Sequence, residues 1–467
     1  MSERIIIDRI IINCLNICRN IGLFFGERIS FIIAVISFST IGVALIVKPF
    51  FDLQYCGYLA IICLMFATGF SVKTISDFKR KNLFFLIPVL LLAITFIVSA
   101  LIFKDGNRVI LGLCFSLMVP MITIALGDKE NFERFFKAYG IGSEIIFIFL
   151  LIVSVIFAPF IDAQYSSIMM NPNGLSVVLI AIIFGTICVI EYSNKNNGKR
   201  NIYILKHFSI ILLAFEIAFM ILTRSRTGIL ALTSILIIWV IFLLINSKKG
   251  KDVVKSVAIV FISCIIAFVF TTEGLARVNV AILQKEYSIF GQVYFFTTTT
   301  FVVSDDKFEI ENGDISAAAK GALERMGKGI GANGDFSSGR FAIWGAAIKS
   351  MNITGHGPGE EFLVPERDLS TNDAHNMILT IGFQLGYIGA ALAFLIALIN
   401  GGYFIKLLYL CIKSKKMTIV SAQYMMICSA FFIVAMLSST YTPIGSMLGI
   451  GFWCALPIVK GVIYGEN

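Results

Sequence analysis

Charge is scarce in this chain. Only 14% of its 467 residues are charged, while 58% are hydrophobic. A soluble domain carries roughly 25% charged and 45–50% apolar residues. With 43 Phe and so little polar surface, a water-soluble globule is excluded. A disordered, collagen-like or disulfide-stapled chain is excluded as well. No C-x-x-C pair occurs, and all ten Cys lie in or beside apolar runs, outside the polar stretch 272–375. They read as small lipid-depth hydrophobes, neither disulfides nor metal ligands. Histidine is limited to His207, His356 and His375. No spaced Asp-x-Asp pair for a metal stands in the candidate outer loops, where Asp305 and Asp306 are adjacent.

Long apolar runs are abundant. They fall near 29–47, 55–72, 82–103, 107–126, 139–161, 173–191, 204–222, 227–245, 253–271, 383–405, 418–437 and 443–462. A bilayer core about 30 Å thick takes about 20 apolar residues per crossing helix. Lipid offers the backbone no hydrogen-bond partner, so each crossing must be helical. The expected fold is an all-α polytopic membrane protein with about 12 transmembrane helices. Its expected parts are an amphipathic cytoplasmic segment (1–28), a bundle of spans 1–9 (29–271), a large periplasmic loop (272–375) and spans 10–12 (376–467).

Charge placement sets the orientation. With both termini in the cytoplasm, the cytoplasmic segments hold 24 Lys and Arg, the short outer loops five, and the long outer segment nine. Long loops are exempt from the positive-inside rule, so the contrast among short loops decides. The net charge of +9 is then explained by cytoplasmic loops facing anionic lipid, and no nucleic-acid partner is expected. Residues 5–17 are Ile-rich, with Asp8, Arg9, Asn13 and Asn16 at helical spacing and no small-residue cleavage site after them. They read as a helix lying in the cytoplasmic interface rather than a signal peptide. No ionisable residue is expected deep in a span.

Two regions depart from bland membrane sequence. The first is the short outer loop Thr223-Arg224-Ser225-Arg226-Thr227-Gly228, with two guanidiniums on the side where positive charge is disfavoured. Snorkelling to lipid phosphates is the plain alternative. A pair that breaks the topology rule points instead to bidentate recognition of phosphate or carboxylate.

The second is the polar segment 272–375. Residues 291–310 read as strand-like, 315–326 as a short helix, and the Gly-rich run 327–334 as a turn or hinge. That run lacks the Lys-Ser/Thr of a nucleotide loop. Ser337-Ser338-Gly339-Arg340 reads as a helix start. Phe341, Trp344, Ile348 and Met351 give that helix an apolar face fit for a membrane surface. Arg340 stands at the positive end of the dipole, the wrong end for a cation unless an anion joins it. His356, in Gly355-His356-Gly357-Pro358-Gly359, reads as a turn residue. His375 follows Asp373 and precedes Asn376 at the outer mouth of the bundle, where an imidazole titrating near neutrality is able to move protons. Asn173, in the turn Asn171-Pro172-Asn173-Gly174, either caps the sixth span or hydrogen-bonds a ligand.

These pieces occur in the order Thr-Arg-Ser-Arg-Thr-Gly (223–228), Ser-Gly-Arg-x-x-x-Trp (338–344), Gly-His-Gly-x-Gly (355–359) and His-Asn-x-x-Leu with a later Gly-Tyr-Ile-Gly (375–389). In motif order and topology the chain resembles the superfamily of O-antigen ligases and Wzy-type O-antigen polymerases. The resemblance implies a GT-C-type, metal-independent, inverting glycosyltransferase without cofactor, working at the outer face of the bacterial inner membrane. It implies undecaprenyl-pyrophosphate-linked oligosaccharides as donor and acceptor, membrane lipid as surroundings and a chain-length regulator as partner. Arg224, Arg226 and Arg340 would grip the pyrophosphate, and His375 would assist the acceptor hydroxyl. Asn173, His356, Asp373 and Asn376 are further candidate contacts. The polymerase branch is the closer match. A ligase acting on lipid A core is the alternative, and a transporter or flippase a more distant one.

Overall fold

The computed structural model describes residues 2–51, 55–73, 83–157, 165–169, 171–195, 200–247, 250–275, 277–278, 282, 339–438, 442 and 445–464. In chain order its longer elements are α1 (Ser2–Phe51), α2 (Tyr55–Ser71), α3 (Leu83–Phe103), α4 (Gly106–Leu113), α5 (Val119–Leu126), α6 (Lys129–Phe157) and α7 (Pro172–Lys195). They continue with α8 (Arg200–Leu222), α9 (Arg226–Asn246), α10 (Gly250–Val269), α11 (Arg340–Ser350), β1 (Phe362–Val364), β2 (Leu369–Thr371), α12 (Met377–Ser414), α13 (Ile419–Leu437) and α14 (Met447–Tyr464). The expected strand at 291–310, helix at 315–326 and turn at 327–334 lie outside the described residues.

The protein is an all-α polytopic membrane protein. Among the described residues, ten helices are long and apolar enough to cross a bilayer, and Gly57–Ser71 and Met447–Val459 are shorter apolar helices. Exposed Phe261, Ile262, Ile265 and Ile266 on α10 are typical of the lipid-facing surface. The seven described cysteines are free.

The chain forms two compact units. One comprises Met1–Ser37, Ile61–Ala138 and Asp335–Asn467; the other Phe38–Ala60 and Tyr139–Gly334. In the first, α1 bends at Gly26 (φ 81°), where the Ser30 hydroxyl donates to the carbonyls of Gly22 (2.7 Å) and Gly26 (3.0 Å). On the following side Lys73 Nζ meets Glu27 (3.1 Å) and Glu130 (2.8 Å). Aromatic packing joins α13 to α14, with Phe431 stacked on Phe452 at 3.9 Å.

The same unit contains a broken helix. Within α12, Gly386 takes φ 77°, ψ −173°. A break frees backbone groups that lipid cannot satisfy. Segment 351–356 supplies the partners: Tyr387 N–H donates to Asn352 O (3.1 Å), and His356 N–H to Phe383 O (3.0 Å). The Tyr387 hydroxyl donates to Met351 O at 3.0 Å. A Cβ at Gly386 would collide with the Ile353 carbonyl.

In the second unit α7 is the most enclosed span, with 89% of its apolar window buried. Small residues allow this. A Cβ at Gly140 of α6 would lie 2.5 Å from Gly185 O of α7, the close backbone approach that membrane helices use instead of bulky packing.

Gly386→Ala is expected to destabilise the protein by about 3 kcal/mol, from forced positive φ plus the carbonyl clash. Thermal unfolding in nanodiscs measures it; an unchanged midpoint would refute the docked-break account.

Candidate active site

Helix α11 begins at Arg340, and its N-cap is Gly339 (φ 82°) with no side-chain cap. The expected serine start is thus corrected: a left-handed glycine turns the chain. The left-handed backbone favours glycine here, and the Arg367 Nη1 atom lies 2.7 Å from where a Cβ would stand. Arg340 is half-buried. The Arg367 guanidinium beside Gly339 brings a second cation to this helix start, and sequence reading missed it because 27 residues of sequence separate Arg340 from Arg367.

The buried face of α11 is Ile343, Ala346 and Ala347. It packs with Phe362, Val364, Ala374 and Phe383 into one small core. That core carries β1 and β2, paired antiparallel with Phe362 opposite Thr371, and it carries the residue just before His375. The opposite face, Phe341 and Ile348, is exposed, with Phe341 and Trp344 edge-to-face at 5.4 Å. The apolar stripe read from the sequence is therefore this outward face.

His375 adopts φ 48°, a conformation costly for a non-glycine residue. Its backbone N–H donates to Asp373 Oδ1 at 2.7 Å. The Asp373 Oδ2 atom lies 3.6 Å from His375 Nδ1, and the imidazole is half exposed. That distance is too long for a hydrogen bond but close enough for the carboxylate to orient the ring electrostatically. Thr380 Oγ1 donates to Asp373 Oδ1 at 3.3 Å. Among the described residues His375 Nε2 has no partner.

Two candidate contacts have their polar atoms engaged within the fold. Asn376 caps α12, its Oδ1 accepting from Ile378 N–H (3.0 Å) and Leu379 N–H (3.2 Å), while Nδ2 donates to Met436 O (3.3 Å). It is 3% exposed, so its polar atoms are consumed by the fold. His356 stacks on Phe383 at 4.1 Å. Its Nδ1 lies 2.9 Å from Glu360 Oε2 and its Nε2 2.6 Å from Ser350 O, so both ring nitrogens are engaged. Buried Arg108 anchors this loop. It pairs with Asp105 at 3.2 Å and donates to Ser99 Oγ and to the His356 carbonyl.

Arg224 and Arg226 belong to the second unit. Both are half-buried. Arg224 has φ 51°, and Ser225 caps α9 by accepting from Gly228 N–H at 3.3 Å. Asn173 is not the cap of α7. Asn171 fills that role, its Oδ1 accepting from the N–H groups of Asn173 (2.9 Å) and Gly174 (3.4 Å). Asn173 Oδ1 instead accepts from Ser225 Oγ at 2.9 Å.

The expectation of spans free of ionisable residues fails. Glu144, Glu191 and Glu216 are buried within α6, α7 and α8. Side-chain donors make part of this tolerable: Thr186 Oγ1 reaches Glu216 Oε1 at 2.7 Å, and Trp239 Nε1 reaches Glu191 Oε1 at 2.7 Å. These donors stand on neighbouring helices, so sequence position does not announce them.

The architecture defines a multi-pass membrane protein whose segment 339–376 bears Arg340, His356 and His375. Residues 208–394 match the family model described as O-antigen ligase. That match is consistent with the O-antigen ligase and polymerase superfamily. The match includes Arg224, Arg226, Arg340, His356 and His375. No curated protein matches the chain.

His375→Gly is expected to be more stable than His375→Ala by about 1 kcal/mol, because only glycine relieves the left-handed backbone. Equal unfolding midpoints would contradict the strain.

Glu360 is held below the ordinary carboxylate range, first by the His356 hydrogen bond, then by the Gly357 N–H. A depressed carboxylate stabilises above its unfolded value and loses that contribution as pH falls through the folded one. Protection of the 355–361 amides, taken relative to their intrinsic exchange rate at each pH, is expected to hold at neutral pH and to fall only in acid below the usual carboxylate range. Loss of protection already near neutrality would count against this contact.

Proposed function

We propose that this chain is a metal-independent polysaccharide polymerase of the bacterial inner membrane. It transfers a growing glycan from undecaprenyl pyrophosphate to an undecaprenyl-pyrophosphate-linked repeat unit at the periplasmic face. The observation that carries this reading is the shared core of the first unit. It fixes the Arg340 helix and the strained Asp373–His375 segment together.

The chemistry follows from the residues. The acceptor hydroxyl attacks the donor's anomeric carbon, and the bond from that carbon to the pyrophosphate oxygen breaks. His375 Nε2 takes the hydroxyl proton, with Asp373 orienting the ring. Negative charge grows on the departing undecaprenyl pyrophosphate. Within the first unit Arg340 stabilises it in place of a metal ion, and Arg224 and Arg226 are the candidate diphosphate ligands of the second unit. Attack opposite the leaving group inverts the anomeric centre.

The description of the matched family favours a second reading, transfer of the glycan to lipid A core. The intramembrane glutamates remove one argument against a transporter, but the family match supports glycan transfer.

Purified protein given undecaprenyl-linked repeat units alone is expected to produce a ladder of longer lipid-linked glycans. Product formed only after core lipid is added would make it a ligase. Arg340→Ala and His375→Ala are expected to abolish extension while the protein still reaches the membrane. Full-length polymer from either variant removes that residue's role, and a strict divalent-ion requirement, revealed by chelators, removes the arginine mechanism.

A further inference from the structure

The turn that carries Arg224 and Arg226 is tied to a distant segment of its own unit. Ser225 Oγ donates to Asn173 Oδ1 at 2.9 Å, a bond spanning 52 residues of sequence. The same hydroxyl accepts from Gly228 N–H at 3.3 Å and faces Ser176 Oγ at 3.1 Å. Ser176 Oγ also donates to the Asn173 carbonyl at 2.8 Å. A hydroxyl has one proton and two lone pairs; Ser225 accepts from Gly228 N–H on one lone pair, and Asn173 Oδ1 is the acceptor that takes its proton. Close packing reinforces the link: a Cβ at Gly228 would lie 2.7 Å from Ser176 Cβ.

The residues before Arg224 are held as firmly. Tyr165 N–H donates to Leu222 O at 3.1 Å. Thr223 Oγ1 donates to Met220 O at 2.7 Å and accepts from Ser225 N–H at 3.2 Å. Arg224 itself keeps φ 51°, a conformation that persists only where its surroundings over-determine it.

We propose that Asn173 is a positioning residue for the Arg224–Arg226 turn. By holding Ser225 it presets both guanidiniums, and it acts on an anionic headgroup through them rather than by touching it. The inference rests on the reading of Arg224 and Arg226 as diphosphate ligands.

The test is equilibrium binding of undecaprenyl pyrophosphate to the purified full chain in nanodiscs, with undecaprenol as control. Thermal unfolding checks that each variant is folded. Asn173→Ala and Ser225→Ala are each expected to weaken binding about tenfold, the scale of one hydrogen bond. The double variant is expected to bind no worse than Ser225→Ala alone, because both single variants remove the Asn173–Ser225 bond. Ser225→Thr, which keeps the hydroxyl, is expected to restore binding. Losses that multiply to about a hundredfold would mean that Asn173 touches the ligand itself and overturn the proposal. So would normal binding by Asn173→Ala while Arg224→Ala loses it. Normal binding by both Arg224→Ala and Arg226→Ala would overturn the diphosphate reading and this proposal together.

Discussion

A helix that breaks inside a membrane protein must hand its freed backbone groups to other protein atoms, since lipid accepts none. In the first unit that constraint organises everything around the candidate site. The break at Gly386 is closed by segment 351–356 through Asn352 O and His356 N–H. That segment begins where α11 ends and leads into the hairpin. The helix bearing Arg340, the hairpin and the approach to His375 are therefore fixed to the break. The left-handed glycines at 355 and 386 permit the approach, because a Cβ at either would strike the carbonyl that faces it.

Division of labour among the polar residues follows. His356 and Asn376 are candidate contacts in sequence, yet the polar atoms of both are engaged by the scaffold, one clasped by Glu360 and Ser350, the other capping α12. What they stabilise is the setting of His375, whose Nε2 has no partner among the described residues and whose Nδ1 faces the Asp373 carboxylate. The cations divide likewise. Arg108 is buried in an ion pair with Asp105 and holds a loop, whereas Arg340 stands at a helix start where the backbone dipole already favours an anion.

The spans were legible because hydropathy over about 20 residues is a strong signal, and each expected run has an apolar helix at its position. Their ends were less so. The tenth helix starts at Met377 rather than near 383 and continues through a glycine break, which hydropathy does not register. In the site, Arg340 stood out as a cation at the positive end of a helix, and His375 as an imidazole between Asp373 and Asn376. The Asn173–Ser225 bond and the Arg367 guanidinium beside Gly339 join residues far apart in sequence, and no local pattern encodes such pairs. The buried glutamates escaped for a related reason: one carboxylate in a strongly apolar run barely changes its mean hydropathy, and its partners Thr186 and Trp239 belong to other helices.

Backbone strain provides a reading of the site that does not depend on charge. Among the described residues six non-glycine positions have positive φ: Lys104, Ser167, Arg224, Asp368, His375 and Lys415. Lys104, Asp368 and Lys415 follow the ends of helical turns, where a left-handed residue is an ordinary terminator. Arg224 also follows a helix end, but it occupies a place where glycine or asparagine would cost least. His375 precedes a helix rather than ending one, so termination does not account for it. An N-cap such as Asn376 needs only extended backbone ahead of the first turn. The left-handed turn at His375 is instead imposed by Asp373, which takes the His375 N–H on one carboxylate oxygen and faces the imidazole with the other. The same carboxylate therefore sets both the backbone and the ring.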